Sequence, residues 1–506
     1  MRLHELFGRA GLEYPEELGD MEITGIVTDS RSVTEGCLFL CIKGAHRDGH
    51  DYMDSAISSG ARVIVAEQVR DACVGGAAAI LLHENTRRSA ALLYNAWFGD
   101  PSSRMKVIGV TGTNGKTSTC FLLREIFERA GARCGLIGTV RCASVGGKRL
   151  ACLDGKDSTG MTTPDPEILY EMLNEMAEDG AEYLFMEVSS HALSLHKVDG
   201  ITFDTVLFTN LTQDHLDFHG TMESYYIAKK RILTLCRRAL ICVDDSYGKR
   251  LCGEGRVPIL TCSVEQGDYR AYEIETRGME GSEFRLSSRR GDFALRIPIP
   301  GEFSVKNGMM AAATALEYGI SPRVVREALR QTAGVPGRME RVKTDGSVSV
   351  LIDYAHTPDA LEKLLRTVRT MRRGKERIWL LFGCGGERDR DKRKEMARIA
   401  CRLADFVVVT SDNSRGEEPE QIFSDILKGM DKEKEFALIP DRGEAIAWAI
   451  GNARAGDWLL LAGKGHETYE IGKEGIVPFD ERRIVRDTLR RLSSESREAI
   501  EKKENE

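Results

Sequence analysis

Residues 109–117 combine the residue types that bind phosphate groups. They read GVTGTNGKT and stand between the β-rich run MKVIGV and the helical pattern TSTCFLLREIFERAG. Glycines let backbone N–H groups face an anion, the helix start adds its dipole, Lys116 supplies a cation, and the Thr117 hydroxyl is a ligand for Mg²⁺. Val110 departs from the strict pattern G-x-x-x-x-G-K-[ST], which has Gly there. A tight glycine-rich turn would explain the glycines but not the Lys-Thr pair, so the segment predicts a nucleotide-phosphate site.

Glu187 is a candidate Mg²⁺ ligand. It ends the apolar run YLFMEV, and the carboxyl ends of strands form the edge at which α/β sheets bind ligands. A charged residue after so apolar a strand is alternatively a buried ion-pair partner. The polar residues Ser189, Ser190 and His191 follow it, and this cluster favours a site.

Residues 209–219, TNLTQDHLDFH, form a second polar cluster after a predicted strand. Two histidines and two aspartates fall within six positions. A zinc site is one interpretation, although no cysteine or third histidine completes it at a familiar spacing. The other interpretation is a polar loop whose Asp side chains cap the next helix. The residues alone leave both open.

The elements that must position these residues predict an α/β protein with three domains. Short apolar runs alternate with turns over residues 25–66 and indicate a small mixed α/β domain at 1–100. The phosphate loop, the strands AEYLFMEV and FDTVLFTN and the helix PEILYEMLNEMAEDG indicate a central P-loop-type mononucleotide-binding domain at 101–336. After a turn at 335–337, the runs VSVLIDYA, RIWLLFG, FVVVTSD, FALIPD and DWLLLAG predict a doubly wound, Rossmann-like domain at 337–506.

Composition argues against several classes of protein. The chain is 42% hydrophobic and 29% charged, has no apolar run of about eighteen residues, and lacks a signal-peptide core at its start. We therefore expect a cytoplasmic protein without membrane insertion. Its 13 cysteines are scattered and indicate reduced thiols. A net charge of −7 argues against nucleic-acid binding, and the basic stretch at residues 388–393 is interrupted by acids and indicates a solvated helix start.

The motifs also form an ordered set. TGTNGKT, MEVSSHAL, FTNLTQDHLDFHG, GRMERV, DYAHTPDAL and GKGHE follow one another, and together they resemble the Mur ligases of peptidoglycan synthesis. The resemblance covers residues 29–467 and is greatest for members that attach the third amino acid of the stem peptide to UDP-N-acetylmuramoyl-alanyl-glutamate. It implies an ATP- and Mg²⁺-dependent ligation through an acyl phosphate, in a monomer whose third domain closes over the central one.

The resemblance also implies roles for individual residues. Those expected at ATP are Gly112, Thr113, Asn114, Gly115, Lys116, Thr117, Ser118, Asn307, Arg338 and His356. Those expected at the UDP-linked substrate are Ser30, Ala45, His46, Arg47, Thr162, Thr163, Ser189 and Lys197. Lys197 stands where the family often has Arg, so a bidentate phosphate contact becomes a single-point contact.

Catalytic and metal-binding residues follow from the same resemblance. The residues expected to act in catalysis or hold Mg²⁺ are Lys116, Thr117, Glu187, His215 and Lys229. Lys229 corresponds to a lysine that family members carry as a carbamate, and addition of CO₂ turns that cation into an anionic ligand. Without the resemblance, Lys229 and Lys230 would be interpreted as a surface pair on a helix.

The third domain is expected to bring the incoming amino acid. The matching positions are Arg388, Asp412, Asn413, Ser414, Arg415, Gly463 and Glu467. Family members that add meso-diaminopimelate usually read DNPR, with the Arg pairing the far carboxylate, while lysine-adding members commonly lack that Arg. Arg415 therefore favours meso-diaminopimelate. Ser414 replaces the usual Pro and leaves Arg415 less rigidly aimed, which keeps L-lysine as an alternative.

Other kinds of protein remain to be distinguished. A folylpolyglutamate synthase has a similar phosphate loop and central domain, but the segments TDSR and DNSR argue against it. A P-loop ATPase that ligates nothing would not need GKGHE, Arg388 and Arg415. A non-catalytic nucleotide-sugar binding protein would not need Lys116 or Glu187.

Overall fold

The structure is a computed structural model that describes residues 1–44, 47–69, 78–156, 158–342, 344, 348–372, 374–431 and 433–504, with side chains up to residue 494. Within these ranges, no helix combines the length and apolar character needed to cross a membrane. Helices and strands alternate along the chain and build successive sheets, as the expected α/β class requires.

The N-terminal sheet is parallel. Its strands, in spatial order, are β1 (Ile26–Val27), β2 (Leu38–Leu40), β3 (Val63–Ala66) and β4 (Ala79–Leu82). The accompanying helices are α1 (Leu3–Ala10), α2 (Met53–Ser58) and α3 (Thr86–Trp97). The side chain of Asn85 accepts a hydrogen bond from the Arg88 N–H and so caps α3. The predicted apolar runs contain β1 to β3, whereas β4 lies outside them.

The central sheet carries the phosphate loop. Its strands are β5 (Lys106–Thr111), β6 (Cys134–Ile137), β7 (Cys142–Ala143), β8 (Tyr183–Glu187), β9 (Thr205–Phe208), β10 (Ala239–Cys242), β11 (Ile259–Ser263), β12 (Tyr269–Thr276), β13 (Ser282–Ser287) and β14 (Phe293–Ile297). Their spatial order is β14-β13-β12-β11-β10-β9-β5-β8-β6-β7, parallel from β12 to β6 and antiparallel at both edges. Strands β5, β8 and β9 are buried on both faces, which is why their sequences are continuous apolar runs.

Helices cover this sheet. They are α4 (Lys116–Arg129), α5 (Pro166–Glu178), α6 (Ser190–Ser194), α7 (Leu216–His219), α8 (Met222–Lys230), α9 (Ser246–Glu254), α10 (Glu302–Glu317) and α11 (Pro322–Gln331). Proline stands in the first turn of α5 and α11, where its missing N–H costs nothing. The alanine-rich α10 is buried along most of its length and packs against α4.

The C-terminal sheet matches the predicted runs. Its strands are β15 (Glu340–Val342), β16 (Ser349–Asp353), β17 (Ile378–Phe382), β18 (Phe406–Val409), β19 (Phe436–Leu438) and β20 (Trp458–Ala462). Their order is β15-β16-β20-β17-β18-β19, parallel except at β15. A separate hairpin joins β21 (Tyr469–Gly472) to β22 (Gly475–Pro478). The helices are α12 (Pro358–Met371), α13 (Asp391–Leu403), α14 (Pro419–Leu427), α15 (Arg442–Asn452) and α16 (Glu481–Glu504).

The basic stretch at residues 388–393 is not a wholly solvated helix start. Arg393, in the first turn of α13, is completely buried, and its guanidinium lies 2.7 Å from Glu417 and 3.0 Å from Asp425. A buried cation needs such partners to offset its desolvation. The prediction was wrong for Arg393 because a basic run gives no sign of the distant carboxylates that the fold brings to it.

The N-terminal and central parts of the chain share one hydrophobic core. Leu6 of α1, Leu93 of α3 and Leu169 of α5 belong to the same cluster of buried side chains. Each of these two parts also has a cluster of its own. The C-terminal sheet has separate buried clusters on its two faces. Only partly buried side chains of the central part, among them Met279 and Phe303, pack against one of these clusters.

Strand register brings the predicted site residues to one edge. Val110 of β5 lies opposite Glu187 of β8, and Thr111 lies opposite Phe208 of β9. The phosphate loop, Glu187 and residues 209–219 therefore leave the sheet at neighbouring positions, as carboxyl ends of parallel strands do.

Candidate active site

Two glycines with positive φ shape the phosphate loop. The angle is 142° at Gly112 and 91° at Gly115, values that favour glycine. A Cβ at Gly112 would lie 2.0 Å from the Thr209 hydroxyl oxygen, and one at Gly115 would lie 2.5 Å from the side-chain oxygen of Asn307. The loop therefore fits only without side chains at these two positions.

Asn114 joins the loop to the segment after β9. The Thr209 hydroxyl and the Asn210 side-chain amide donate to the Asn114 carbonyl over 2.6 and 3.0 Å. The Asn210 side-chain oxygen accepts from the Asn114 N–H at 3.0 Å, and the Asn210 carbonyl accepts from the Thr113 N–H at 2.9 Å. These bonds preorganise the loop, so the loop loses less conformational entropy when a ligand binds.

Lys116 begins α4 and turns its side chain back onto the loop. Its Nζ donates to the carbonyls of Gly112 at 2.9 Å and Thr113 at 2.8 Å. Burial lowers the pKa of Lys116, while the nearby carboxylates of Glu187 and Asp214 oppose the shift. A cation is thus held at a helix N-terminus, which is the arrangement that binds phosphate oxygens.

Glu187 is held by neutral donors. The Thr117 hydroxyl donates to Oε2 at 2.9 Å, and the Thr139 N–H donates to Oε1 at 2.9 Å. A Cβ at Gly138 would lie 2.2 Å from Oε1, so only glycine leaves room for the carboxylate. Because hydroxyl and amide groups hold it, the negative charge of Glu187 remains available to a cation, which favours the site over the ion-pair alternative.

Lys229 lies on the buried face of α8. Its Nζ donates to the Gly112 carbonyl at 2.9 Å, and the residue is 1% exposed. Burial and the charge of Lys116 hold the pKa of Lys229 well below its usual value. The adjacent Lys230 is partly exposed and pairs with Glu254 at 2.7 Å. The surface-pair interpretation therefore describes Lys230 and not Lys229.

His215 stands at the turn before α7, with a φ of 53°. Its Nε2 lies 3.4 Å from the Asp214 carboxylate, and its ring centroid lies 4.9 Å from that of His191. Burial lowers the pKa of His215 while the charge of Asp214 opposes the shift, and a neutral ring offers the lone pair that metal ions bind. No side chain caps α7, and Asp214 instead accepts from the His215 N–H. The capping interpretation of this segment is wrong.

Two of the residues expected to hold metal, Thr117 and Glu187, are joined by a hydrogen bond, and the charge of Lys229 contributes to lowering the pKa of His215. Among the described residues, no group of three or more His, Cys, Asp or Glu side chains is arranged to hold a metal ion. Mg²⁺ fits Thr117 and Glu187, because it takes one or two protein ligands and completes its shell with phosphate oxygens and water.

Glu187, His215 and most of the phosphate loop face a cleft of about 870 Å³ between the central and C-terminal parts, but Gly112 and Lys229 are not among the residues that line it. Predicted site residues that line it are Thr113, Asn114, Gly115, Lys116, Thr117, Ser118, Thr162, Glu187, His215, Asn307, Arg338, His356, Arg388, Asp412, Asn413, Arg415, Gly463 and Glu467. Arg338 reaches across it, with Nη2 3.5 Å from the Thr117 hydroxyl and its guanidinium 4.6 Å from the Tyr354 ring centroid. His356 is held by the Tyr354 carbonyl, 2.7 Å from its Nδ1.

The residues expected at the UDP-linked substrate begin at this cleft. Thr162, which lines it, has its hydroxyl 2.9 Å from that of Thr139. The Thr163 hydroxyl donates to the Glu187 carbonyl at 2.9 Å and accepts from the Ser189 N–H at 3.0 Å. Thr163 and Ser189 therefore brace the strand end that carries Glu187.

Of the other expected substrate residues, the described ones Ser30, Arg47 and Lys197 are not among those that line the cleft. Lys197 pairs with Asp165 at 2.7 Å. Ser30 begins a short turn after β1, and the Arg47 carbonyl accepts from the Gly44 N–H at 2.7 Å. Ala45 and His46 lie outside the described residues.

Charges of both signs from the C-terminal part face the cleft. Burial and the like charge of Arg388 lower the pKa of Arg415, while burial and the like charge of Asp412 raise the pKa of Glu467. Like charges held at close range favour a ligand of opposite charge. Two guanidinium groups and two carboxylates therefore match a ligand that carries several charges of both signs.

Some contacts at the cleft were not predicted. Asp359, in the first turn of α12, accepts from the Asn114 side chain at 2.9 Å, and the ammonium of Lys464 donates to the side-chain oxygen of Asn413 at 2.9 Å. Both residues belong to motifs that carry the family resemblance, DYAHTPDAL and GKGHE, and these motifs were the available signal for them. Ser414 turns away from the cleft lining, and its carbonyl accepts from the Glu417 N–H at 3.1 Å.

Comparison with family models covers each part of the chain. Residues 110–315 match the Mur ligase middle domain, residues 337–465 match the Mur ligase glutamate ligase domain, and residues 22–92 match the Mur ligase family catalytic domain. The first two of these matches meet at the cleft.

Individual proteins are similar over nearly the whole chain. The UDP-N-acetylmuramoyl-L-alanyl-D-glutamate–2,6-diaminopimelate ligase of Syntrophomonas wolfei subsp. wolfei is 40% identical, over 97% of this chain and 99% of its own. The ligase of that name from Geobacillus thermodenitrificans is 40% identical, over 96% and 99%. A solved structure of a ligase with this name matches with a TM-score of 0.67 and 30% identity, over 97% of this chain and 100% of that one. The expected three-domain α/β fold is confirmed.

Proposed function

The chain belongs to the Mur ligase family, and we propose that it joins meso-diaminopimelate to UDP-N-acetylmuramoyl-L-alanyl-D-glutamate in an ATP-dependent ligation. Relatives that cover it almost from end to end carry this activity in their names. The observation that carries the proposal is the cleft, in which a phosphate loop of the central part faces paired charges of the C-terminal part.

The proposed reaction activates a carboxylate with ATP, because oxide is too poor a leaving group for direct attack by an amine. A carboxylate oxygen of the UDP-linked substrate attacks the γ-phosphorus, the bond from that phosphorus to the bridging oxygen breaks, and ADP leaves. The acyl phosphate that results is attacked at its carbonyl carbon by the amine of the amino acid. The nitrogen loses a proton, inorganic phosphate leaves, and the amide remains.

The chain's own groups stabilise the phosphoryl transfer. Lys116 and the loop N–H groups hold phosphate oxygens, and Arg338 adds a second cation from the C-terminal side of the cleft. Asn307, which lies against Gly115, and His356 are proposed contacts of the nucleotide. Thr117 and Glu187 would hold Mg²⁺, which supplies charge neutralisation at the phosphates when it is bound.

The proposal extends to a carbamate on Lys229. The lone pair of the neutral amine attacks the carbon of CO₂, an N–C bond forms, the nitrogen loses a proton, and the side chain gains a negative charge. The support is the burial of Lys229 and its lowered pKa, which keep the amine neutral. Together with His215, whose pKa the charge of Lys229 helps to lower, the modified side chain would supply further metal ligands.

The charges at the C-terminal side of the cleft favour meso-diaminopimelate over L-lysine. The far end of meso-diaminopimelate carries a carboxylate and an ammonium, whereas that of lysine carries an ammonium alone. Arg415 facing only that ammonium would stay unpaired, at a cost in desolvation and repulsion. L-Lysine is the alternative substrate that the experiment must separate.

The other classes of protein explain fewer of these observations. A ligase for folates would not be expected to resemble diaminopimelate ligases at 40% identity from end to end. An ATPase that ligates nothing would have no use for Arg388 and Arg415 opposite its phosphate loop.

The proposal includes domain boundaries at residues 100 and 336, a monomer, and the cytoplasm. The boundaries are supported by the three main sheets, each of which lies within one of the resulting ranges. The cytoplasmic assignment follows from the ATP and the nucleotide-linked substrate that the reaction needs.

The test is phosphate release from ATP with UDP-N-acetylmuramoyl-L-alanyl-D-glutamate and either meso-diaminopimelate or L-lysine, with the amide product identified by mass. Ligation with diaminopimelate alone is the expected result. Ligation chiefly with lysine would keep the ligase class but overturn the interpretation of residues 412–415. ATP hydrolysis that ignores both amino acids would refute ligation.

A further inference from the structure

We propose that Lys464 is a positioning residue for the incoming amino acid, because it fixes the backbone at Arg415 through Asn413 and the hairpin β21–β22. The inference rests on the proposed function and adds to it the groups that set amino-acid selectivity. Lys464 is fully buried and is not among the residues that line the cleft, so it acts through its neighbours.

Lys464 is the centre of a buried polar cluster. Its Nζ donates to the side-chain oxygen of Asn413 and to the Tyr469 carbonyl, both over 2.9 Å. The carboxylates of Asp412 and Glu467 lie 3.8 and 3.7 Å from it. A buried ammonium is tolerated when such groups surround it, and each of them depends on it in return. Lys464 therefore ties the loop at residues 412–415 to the start of the hairpin.

The amide of Asn413 completes this connection. Its side-chain oxygen also accepts from the Ile471 N–H at 2.9 Å, and its side-chain nitrogen donates to Glu467 at 2.8 Å. Asn413 is 4% exposed, so these protein groups take up most of its hydrogen-bonding capacity. Its contribution to the amino-acid site is to hold the loop.

The hairpin then holds Arg415 directly. The Arg415 N–H donates to the Ile471 carbonyl at 3.0 Å, so both backbone groups of Ile471 serve the loop. Arg415 has a φ of 52°, a conformation that residues with side chains rarely adopt. Its Nη1 donates to the carbonyls of Gly386 at 3.0 Å and Asn413 at 3.2 Å. The hairpin thus supplies a restraint on the loop that Ser414, unlike proline, cannot supply by itself.

The substitution Lys464→Met tests this, since it keeps an unbranched side chain only one atom shorter and removes every donor. We expect the KM for meso-diaminopimelate to rise about tenfold or more, because hydrogen bonds to a charged group are lost. The preference for meso-diaminopimelate over L-lysine should fall by a similar factor, since it depends on the aim of Arg415. The KM for ATP should stay unchanged, because the phosphate loop keeps its contacts.

Lys473→Met is the matched control. It makes the same change in the same hairpin, but Lys473 is exposed and pairs with the exposed Glu418 at 2.5 Å. We expect it to keep the KM for meso-diaminopimelate and the selectivity of the unaltered protein. A loss of selectivity equal to that of Lys464→Met would overturn the proposal, because it would make the effect a property of the hairpin's charge.

Ile471→Pro is a second variant that leaves Lys464 and its carboxylates in place. It removes the N–H that binds Asn413, and we expect the same loss of selectivity in a smaller amount. If Lys464→Met does not fold, Ile471→Pro decides: wild-type selectivity in it overturns the inference. An unaltered protein that ligates neither amino acid refutes the proposed function instead, so the two failures are distinguishable.

Discussion

Asn114 of the phosphate loop and Asp359 of α12 are joined across the cleft, where the Asn114 side-chain amide donates to Oδ2 of Asp359 over 2.9 Å. The same oxygen lies 3.3 Å from the Thr212 hydroxyl and 2.8 Å from Nζ of Lys363. One carboxylate of the C-terminal part therefore contacts both segments that form the phosphate-binding edge. We expect closure of the third domain over the central one to depend on this contact between Asn114 and Asp359.

Removing that carboxylate should uncouple the two sides of the cleft. For Asp359→Ala we expect kcat/KM for ATP to fall about tenfold, the effect of losing a hydrogen bond to a charged group. Initial rates at varied ATP measure it. Lys363→Ala removes only the exposed partner of the same oxygen and should keep the original rates; an equal loss in both variants would mean that the lysine, and not the contact with Asn114, is responsible.

Thr117→Val should lower kcat about a hundredfold, because it removes both a proposed Mg²⁺ ligand and the donor that orients Glu187. Thr119→Val offers a matched control in the same helix. The Thr119 hydroxyl is buried and has no hydrogen-bond partner in the described part of the chain, so its loss should leave the rate unchanged. Steady-state ligation at saturating substrates compares the two, and equal rates in both would remove Thr117 from the proposed mechanism.

Lys229→Met should abolish ligation, with a loss of about a hundredfold or more if the carbamate stabilises transition-state charge. Lys229→Arg should fail as well, because a guanidinium stays charged and forms no carbamate. Lys230→Met changes the adjacent, partly exposed lysine and should retain activity. Labelled bicarbonate should give a carbamate signal by NMR in the unaltered protein, and a signal that persists in Lys229→Met would locate the modification elsewhere.

The buried Arg393 pair predicts an acid-sensitive C-terminal part. The guanidinium of Arg393 lowers the pKa of Glu417 from 4.5 to about 2, so the unfolded chain binds the proton more readily between these values. The stabilisation is complete above pH 4.5 and is lost as the pH falls towards 2. Glu417→Gln should cost about 3 kcal/mol at neutral pH, as breaking a buried pair does, and should flatten this pH dependence.

Glu418→Gln is the control for that measurement. Glu418 is the next residue but lies exposed against Lys473, and exposed pairs contribute little. Its thermal unfolding should follow that of the unaltered protein from neutral to acidic pH. A pH dependence that remains unchanged in Glu417→Gln would assign the acid sensitivity to other carboxylates.

The strands near the cleft were predictable because both their faces are buried. Continuous apolar runs mark β5, β8, β9, β16 to β18 and β20, and the polar residues that follow such runs have to gather at one sheet edge. The edge strand β19 was predicted from its apolar residues, although they are largely exposed. The antiparallel extension from β12 to β14 lacks such runs. In β13, buried and less buried positions alternate strictly. The sequence SEFRLS shows this period of two, but it contains no functional motif that would have drawn attention to it.

Burial of single charged side chains was not predictable from the residues. Lys229 and Lys230 are adjacent and identical in type, yet one lies under the phosphate loop and the other is partly exposed, because consecutive side chains of a helix point about 100° apart. Asp359 and Lys464 likewise acquire their partners from segments far away in the chain. Such pairings depend on tertiary packing. A short sequence motif shows that a residue is present but not which distant residue it contacts.

The shared core of the N-terminal and central parts has a consequence for unfolding. Side chains from α1, α3 and α5 occupy one cluster, so neither part can lose its packing without exposing apolar surface of the other. The buried clusters of the C-terminal sheet are separate from that core, and a few partly buried side chains of the central part pack against one of them. On unfolding by heat or denaturant, the three domains should therefore behave as two cooperative units. The boundary between those units runs along the cleft in which the ligation is proposed to occur.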